Sequence, residues 1–181
     1  MLCKKLHHAA YRCKDARETT IFYTKNLGLK FTHAMGEEHV PSTGRYSPHV
    51  HIFFEMEDGS SIAFFEVPED PGNIKDMESP DWIQHFAFEV DTIETLMHAK
   101  ADLEAKGLEV VGPTDHDGFI TSIYFFDPSG HRLELTVNTC SLERKLEFIE
   151  EAPRVLALWE QTHNWSRRAE VFGAAHGYAR K

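Results

Sequence analysis

One order of landmarks occurs twice in this chain, and that recurrence restricts the possible fold more than any other feature. His8, Gly28 and Glu66 follow one another in the first half; His85, Gly107 and Glu134 follow in the second. Each trio frames the same predicted succession of elements. In the first half, residues 6–13 alternate as a strand, and Asp15 stands as an N-cap to a helix over 16–26. That helix turns Thr20, Phe22, Tyr23 and Leu27 inward, and Gly28 stops it. Residues 29–35 read as a second strand, 36–48 as a polar, turn-rich loop, and 49–57 with 61–67 as a hairpin about Asp58-Gly59-Ser60. The order is β, α, β, β, β.

A Pro- and Asp-rich linker over 68–81 precedes its repetition. Residues 82–91 read as a strand, and 92–106 as an amphipathic helix with Ile93, Leu96, Met97, Ala101, Leu103 and Ala105 on its apolar side, ended by Gly107. Residues 108–111 form a further strand. A last hairpin pairs 119–126 with 131–137 about Asp127-Pro128-Ser129-Gly130, where Pro presets φ and Gly tolerates a positive one. The expected class is α+β: two βαβββ units over 1–67 and 82–137. Residues 138–181 change character. Ser141 is placed to cap a helix carrying Leu142, Leu146 and Ile149, and a second helix after Pro153 would carry Val155, Leu158 and Trp159. The remainder from His163 has no motif and reads as a covering extension or a dimer contact.

Composition narrows the partners. A net charge of −10 without a Lys/Arg-rich run argues against nucleic acid or an anionic membrane surface. No window approaches the ~18 apolar residues of a spanning helix, and the N-terminus lacks a signal-peptide run. Cys3, Cys13 and Cys140 have no CxxC spacing, which points away from a disulfide framework and toward the reducing cytoplasm.

The chemistry lies in the landmarks themselves. In the last strand Leu133, Leu135 and Val137 share one face, which leaves Arg132, Glu134 and Thr136 on the other. If the units pair about a pseudo-twofold, His8, His85, Glu66 and Glu134 converge, and imidazoles with carboxylates suit a divalent Fe, Mn, Ni, Co or Zn ion with positions open to substrate. His7 neighbours His8 and, continuing the strand, would point to the opposite face, so only one of the pair ligates.

The segments around Leu6-His7-His8-Ala9-Ala10-Tyr11-Arg12, Asn26-Leu27-Gly28-Leu29, Gln84-His85-Phe86-Ala87-Phe88-Glu89-Val90-Asp91 and Asp127-Pro128-Ser129-Gly130-His131-Arg132-Leu133-Glu134 resemble the vicinal oxygen chelate superfamily. Its members include glyoxalase I, type I extradiol dioxygenases, fosfomycin-resistance enzymes and methylmalonyl-CoA epimerase. The resemblance covers residues 4 to about 137 and implies paired modules forming an open, barrel-like cup around one metal, commonly in a homodimer. It places His8, His85 and Glu134 on ligand positions and Glu66 on the fourth ligand position of glyoxalase I. Thr114-x-His116, Ile123-Tyr124, Asp127-Pro128-x-Gly130 and Glu134 match the extradiol signature. In that family the residues at 116 and 124 contact a catecholic substrate, and two His with one Glu hold Fe(II). A further first-unit His assists proton transfer, for which His49 and His51 are candidates.

The expectation is therefore an Fe(II)-dependent ring-cleaving dioxygenase acting on a small catechol-like molecule. Two alternatives stand beside it. One is a glyoxalase-like lyase or isomerase with Ni, Zn, Mn or Co, acting on a glutathione adduct, in which Glu66 also ligates and acts as base and Arg12 holds the glutathione carboxylate. The other is a metal-free binding protein of the bleomycin-resistance kind. Glu89 and His131 read as surface residues.

Overall fold

The computed structural model describes residues 2–70 and 72–163. Two four-stranded mixed sheets carry the fold. The first contains β1 (His8–Arg12), β2 (Lys30–His39), β3 (Tyr46–Glu55) and β4 (Ser61–Glu66), with α1 (Ala16–Lys25) between β1 and β2. The second contains β5 (His85–Glu89), β6 (Val111–Asp115), β7 (Ile120–Phe126) and β8 (Arg132–Asn138), with α2 (Ile93–Ala105) between β5 and β6. The strand orders are β1-β4-β3-β2 and β5-β8-β7-β6, the first pair parallel in each case and the rest antiparallel. Neither sheet closes into a barrel. A final helix, α3 (Leu142–Thr162), follows. Among the described residues no helix is long and apolar enough to cross a membrane.

Local chemistry explains the helix starts. Asp15 Oδ1 accepts from Glu18 N at 2.7 Å, Thr92 Oγ1 from Thr95 N at 3.0 Å, and Ser141 Oγ from Arg144 N at 3.1 Å, so each first turn has a side-chain acceptor for an otherwise orphaned donor. One face of each sheet buries its apolar residues under its helix. Tyr23 of α1 stacks on Phe54 and lies against Phe64, and all three are fully buried. Leu96 and Leu103 of α2 join Ile123, Phe125, Leu133, Leu135 and Val137 in the same core cluster.

The two units meet through α1, β1 and the β7–β8 turn. Asp127 Oδ1 accepts from the Ser129 and His131 amides, both at 2.9 Å, and its Oδ2 accepts from the Tyr23 hydroxyl at 3.0 Å. Tyr11 packs edge-on against Phe86 with centroids 4.5 Å apart. His131 is buried, its Nε2 bonded to the Arg12 carbonyl at 2.7 Å, so it is an inter-unit strut and not the surface residue its turn position suggests.

Several local expectations are corrected. Most of the polar stretch 36–48 is not a loop: β2 and β3 extend to His39 and back from Tyr46, paired from Lys30↔Glu55 to His39↔Tyr46 with two register shifts. The strand expected over 108–111 begins at Val111 instead, where Gly112 adopts a φ of 111°. α3 runs through Pro153 without dividing into two helices. The reading placed on the segment from His163 onward falls, beyond that residue, outside the described residues.

Candidate metal and substrate site

Strand register decides which side chains can meet. In the second sheet His85 pairs with Arg132 and Ala87 with Glu134, while Tyr124 and Phe126 stand opposite Glu134 and Arg132. Paired residues project to the same side, so His85, Glu134, Arg132, Tyr124 and Ser122 share the face turned away from α2. There His85 Nε2 lies 2.9 Å from Glu134 Oε2. The Glu134 side chain is only 3% exposed, and its Oε1 accepts from Ser122 Oγ at 2.5 Å. His116 Nε2 and the Tyr124 hydroxyl share a hydrogen bond of 2.7 Å. The Arg132 guanidinium carbon sits 4.1 Å over the Tyr124 ring. Burial first, and then the Glu134 carboxylate, raise the Tyr124 phenol above its ordinary pKa, so it remains a donor to higher pH than an ordinary phenol.

The first sheet presents a second group of imidazoles. His8 lies edge-on to His51 with centroids 6.2 Å apart and to Phe53 at 5.5 Å. His51 is 8% exposed, stacks on Phe65 at 3.6 Å, and has a buried Nε2 without a hydrogen-bond partner. Burial, with repulsion from His8, His49 and His33, lowers its pKa to about 4. His49 differs, because its Nδ1 is engaged by the Ser47 carbonyl at 2.7 Å. His7 does not point away from His8. It precedes the strand, and the two Nδ1 atoms are 2.9 Å apart.

Glu66 is not brought to this face. Its Oε2 accepts from the Ala16 amide at 2.6 Å, at the N-terminus of α1, on the helix side of the sheet with Ile62 and Phe64. The register makes the reason explicit: His8 pairs with Ser61 and Ala10 with Ala63, as His85 pairs with Arg132 and Ala87 with Glu134. The counterpart of Glu134 in the first unit is Ala63. Arg12 is also committed, its guanidinium bonded to the Val67 and Asp70 carbonyls and 3.4 Å from the Asp70 carboxylate.

The donor chemistry of the second sheet suits a divalent ion. His85 Nδ1 lies 3.1 Å from the Ile83 carbonyl, which fixes the proton on Nδ1 and turns the Nε2 lone pair toward Glu134. A lone pair facing a carboxylate oxygen at 2.9 Å requires a cation between them, a proton or a metal. Two donors, each held by a second hydrogen bond, are thus in place. The third, His8, lies apart from them: among the described residues no group of three or more His, Cys, Asp or Glu within one chain is placed to hold an ion.

Two four-stranded βαβββ units packed against each other define a class of small proteins built from paired modules. The chain belongs to the Glyoxalase/Bleomycin resistance protein/Dioxygenase superfamily, whose model matches residues 5–135. It is 28% identical over 139 residues to the uncharacterized protein YwkD of Bacillus subtilis (strain 168), covering 75% of this chain and 98% of that protein. Among solved structures, an integron cassette protein from the mobile metagenome of Halifax Harbour sewage outfall is 27% identical, with a TM-score of 0.53 over 75% of this chain and 99% of that one. The fosfomycin resistance protein FosX of Listeria monocytogenes, in a mutant form complexed with Mn(II) and a dihydroxypropylphosphonic acid, is 23% identical, with a TM-score of 0.56 over 80% of this chain and 99% of that one.

Proposed function

We propose that this protein is an Fe(II)-dependent extradiol-type dioxygenase that cleaves the ring of a catechol-like substrate, with His85 and Glu134 of one copy and His8 of a second copy holding the metal in a homodimer. The observation that carries the reading is the 2.7 Å hydrogen bond between His116 and Tyr124 on the same sheet face as the His85–Glu134 pair. Two His and one carboxylate leave three positions open, and bound Fe(II) would supply the site where a catecholate and O₂ meet. The chain's own residues do the rest. The Tyr124 hydroxyl donates to a substrate oxygen and orients the ring. His116, already within hydrogen-bond distance of that hydroxyl, takes or returns a proton there. Ser122 fixes the Glu134 carboxylate and Ile83 fixes the His85 tautomer.

Glyoxalase-type chemistry needs a second carboxylate on the same face to move the substrate proton. Ala63 occupies that place and Glu66 is engaged at α1, so the lyase alternative loses its base. The test is O₂ uptake by anaerobically purified, iron-loaded protein on a panel of catechols, followed by absorbance of the ring-fission product. Uptake with stoichiometric product supports the reading; full iron loading with neither uptake nor product across the panel overturns it.

A further inference from the structure

Beside the His85–Glu134 pair lies a cavity of about 630 Å³, walled on one side by His85, Phe126 and Arg132 and on the other by the 73–84 connection, a volume in the range that takes a small organic ligand. Its cations differ in their commitments. Lys75 is held by Asp81 at 2.6 Å. Arg132 stacks on Tyr124 but has no hydrogen bond or ion pair of its own among the described residues. Glu134, two residues away on the same face, does not occupy it, because its oxygens are taken by Ser122 and His85. Asp76 is likewise engaged, by Ser79 and the Glu78 amide. A guanidinium carries five donors in a planar fork that matches a carboxylate. Among the described residues the Arg132 fork makes no hydrogen bond, Asp81 attracting it only at longer range and after Lys75, and it stands opposite His85 in register at the wall of the cavity.

We propose that Arg132 receives an anionic substituent of the substrate, so that the site takes a catechol bearing a carboxylate on its ring or on a short side chain. The catechol half of this assignment rests on the ring-cleaving reading; the anion half rests on Arg132 and the cavity. The stacking on Tyr124 sets the distance: the residue that orients the substrate hydroxyl also carries the cation, so acid and hydroxyl are gripped from one platform. The carboxylate then lies at the Arg132 guanidinium and the reacting oxygens toward His85 and Glu134.

The test is calorimetric titration of the Zn(II)-loaded dimer, which does not turn over, with 3,4-dihydroxybenzoate, catechol and 3,4-dihydroxybenzylamine. A charge-assisted pair predicts that the acid binds roughly tenfold to a hundredfold tighter than catechol, and the amine more weakly than catechol. In Arg132→Gln the acid-to-catechol ratio falls to near one, and in Arg132→Lys part of it remains. A wild-type ratio near one, or a ratio unchanged in Arg132→Gln, overturns the proposal. If Arg132→Gln does not fold, the wild-type ratio is followed from low to high salt; a ratio that does not fall overturns the proposal equally. If no catechol binds, the ring-cleaving reading fails on its own, and saturation-transfer NMR with benzoate then decides the anion site. Benzoate binding that Arg132→Lys weakens sustains it, and no benzoate binding removes it.

Discussion

Glu66 offers the sharpest separation between a metal ligand and a structural carboxylate. Among the described residues its hydrogen-bond partner is the Ala16 amide at 2.6 Å, in the first turn of α1. Substitution Glu66→Ala removes a charge-assisted hydrogen bond, worth about 1.5–3 kcal/mol, together with a favourable helix-end charge of about 0.3–1 kcal/mol. Because the side chain is partly exposed, water replaces some of that bond, and the expected loss is about 1.5–2 kcal/mol. Glu66→Gln keeps an acceptor and loses only the charge, for about 0.5–1 kcal/mol. Urea unfolding of the metal-free protein should show these losses as a lower midpoint at constant slope. Metal content after anaerobic loading, measured by mass spectrometry, should match wild type in both variants. Loss of the metal in Glu66→Ala with stability unchanged would refute the reasoning, because it would place the carboxylate at the ion and not at the helix.

Three other outcomes follow from the same geometry. Tyr124→Phe and His116→Ala should bind metal as wild type does while lowering turnover by about 10²- to 10⁴-fold, the range of a lost acid–base group; turnover within a few-fold of wild type would remove both from the chemistry. The His51 imidazole is held at about 4 when folded against about 6.5 when unfolded, so between those values the unfolded chain binds the extra proton. Stability of the metal-free protein should therefore be fully present above about pH 6.5 and fall by up to about 3 kcal/mol as pH drops toward about 4, a slope that His51→Leu should flatten in urea titrations and that would be unchanged if burial were not its source. Gly112→Ala should destabilise by about 2 kcal/mol or more in thermal unfolding, since an added Cβ meets the Ser122 carbonyl at 2.7 Å in a backbone conformation of φ 111°; a wild-type midpoint would contradict that account.

How far these features could be read in advance depended on whether alternation survived in each strand. In β8 it did: Leu133, Leu135 and Val137 face the core, so the opposite placement of Glu134 was legible from spacing alone. In β4 it did not. Phe64 and Phe65 are consecutive aromatics because both faces of that sheet are aromatic, the core side through Tyr23 and Phe54 and the other through His51 and Phe53. With the period-two signal erased, Glu66 could not be assigned a face, and counting landmarks aligned it with Glu134 where the register aligns Ala63. The β2–β3 arm was hidden for a different reason. Its polar and Gly-containing residues carry turn propensity, but antiparallel pairing with β3 satisfies their backbone groups and overrides it. His131 escaped notice because its burial comes from a contact 119 positions away along the chain, with the Arg12 carbonyl, which no local pattern reveals. The repeated βαβββ order needed none of this, since caps and glycine stops mark it locally.

The proposed centre joins His8 of one copy to His85 and Glu134 of another, and subunit complementation tests that joining most directly. His8→Ala and Glu134→Ala are purified separately, loaded anaerobically with Fe(II), then mixed under conditions that exchange subunits and loaded again. The account predicts that neither variant alone retains iron at the site, and that the mixture regains one intact site per mixed dimer, with iron and O₂ uptake returning together. Retention of iron by either variant alone, or a mixture of exchanged subunits as empty as its parents, would contradict it.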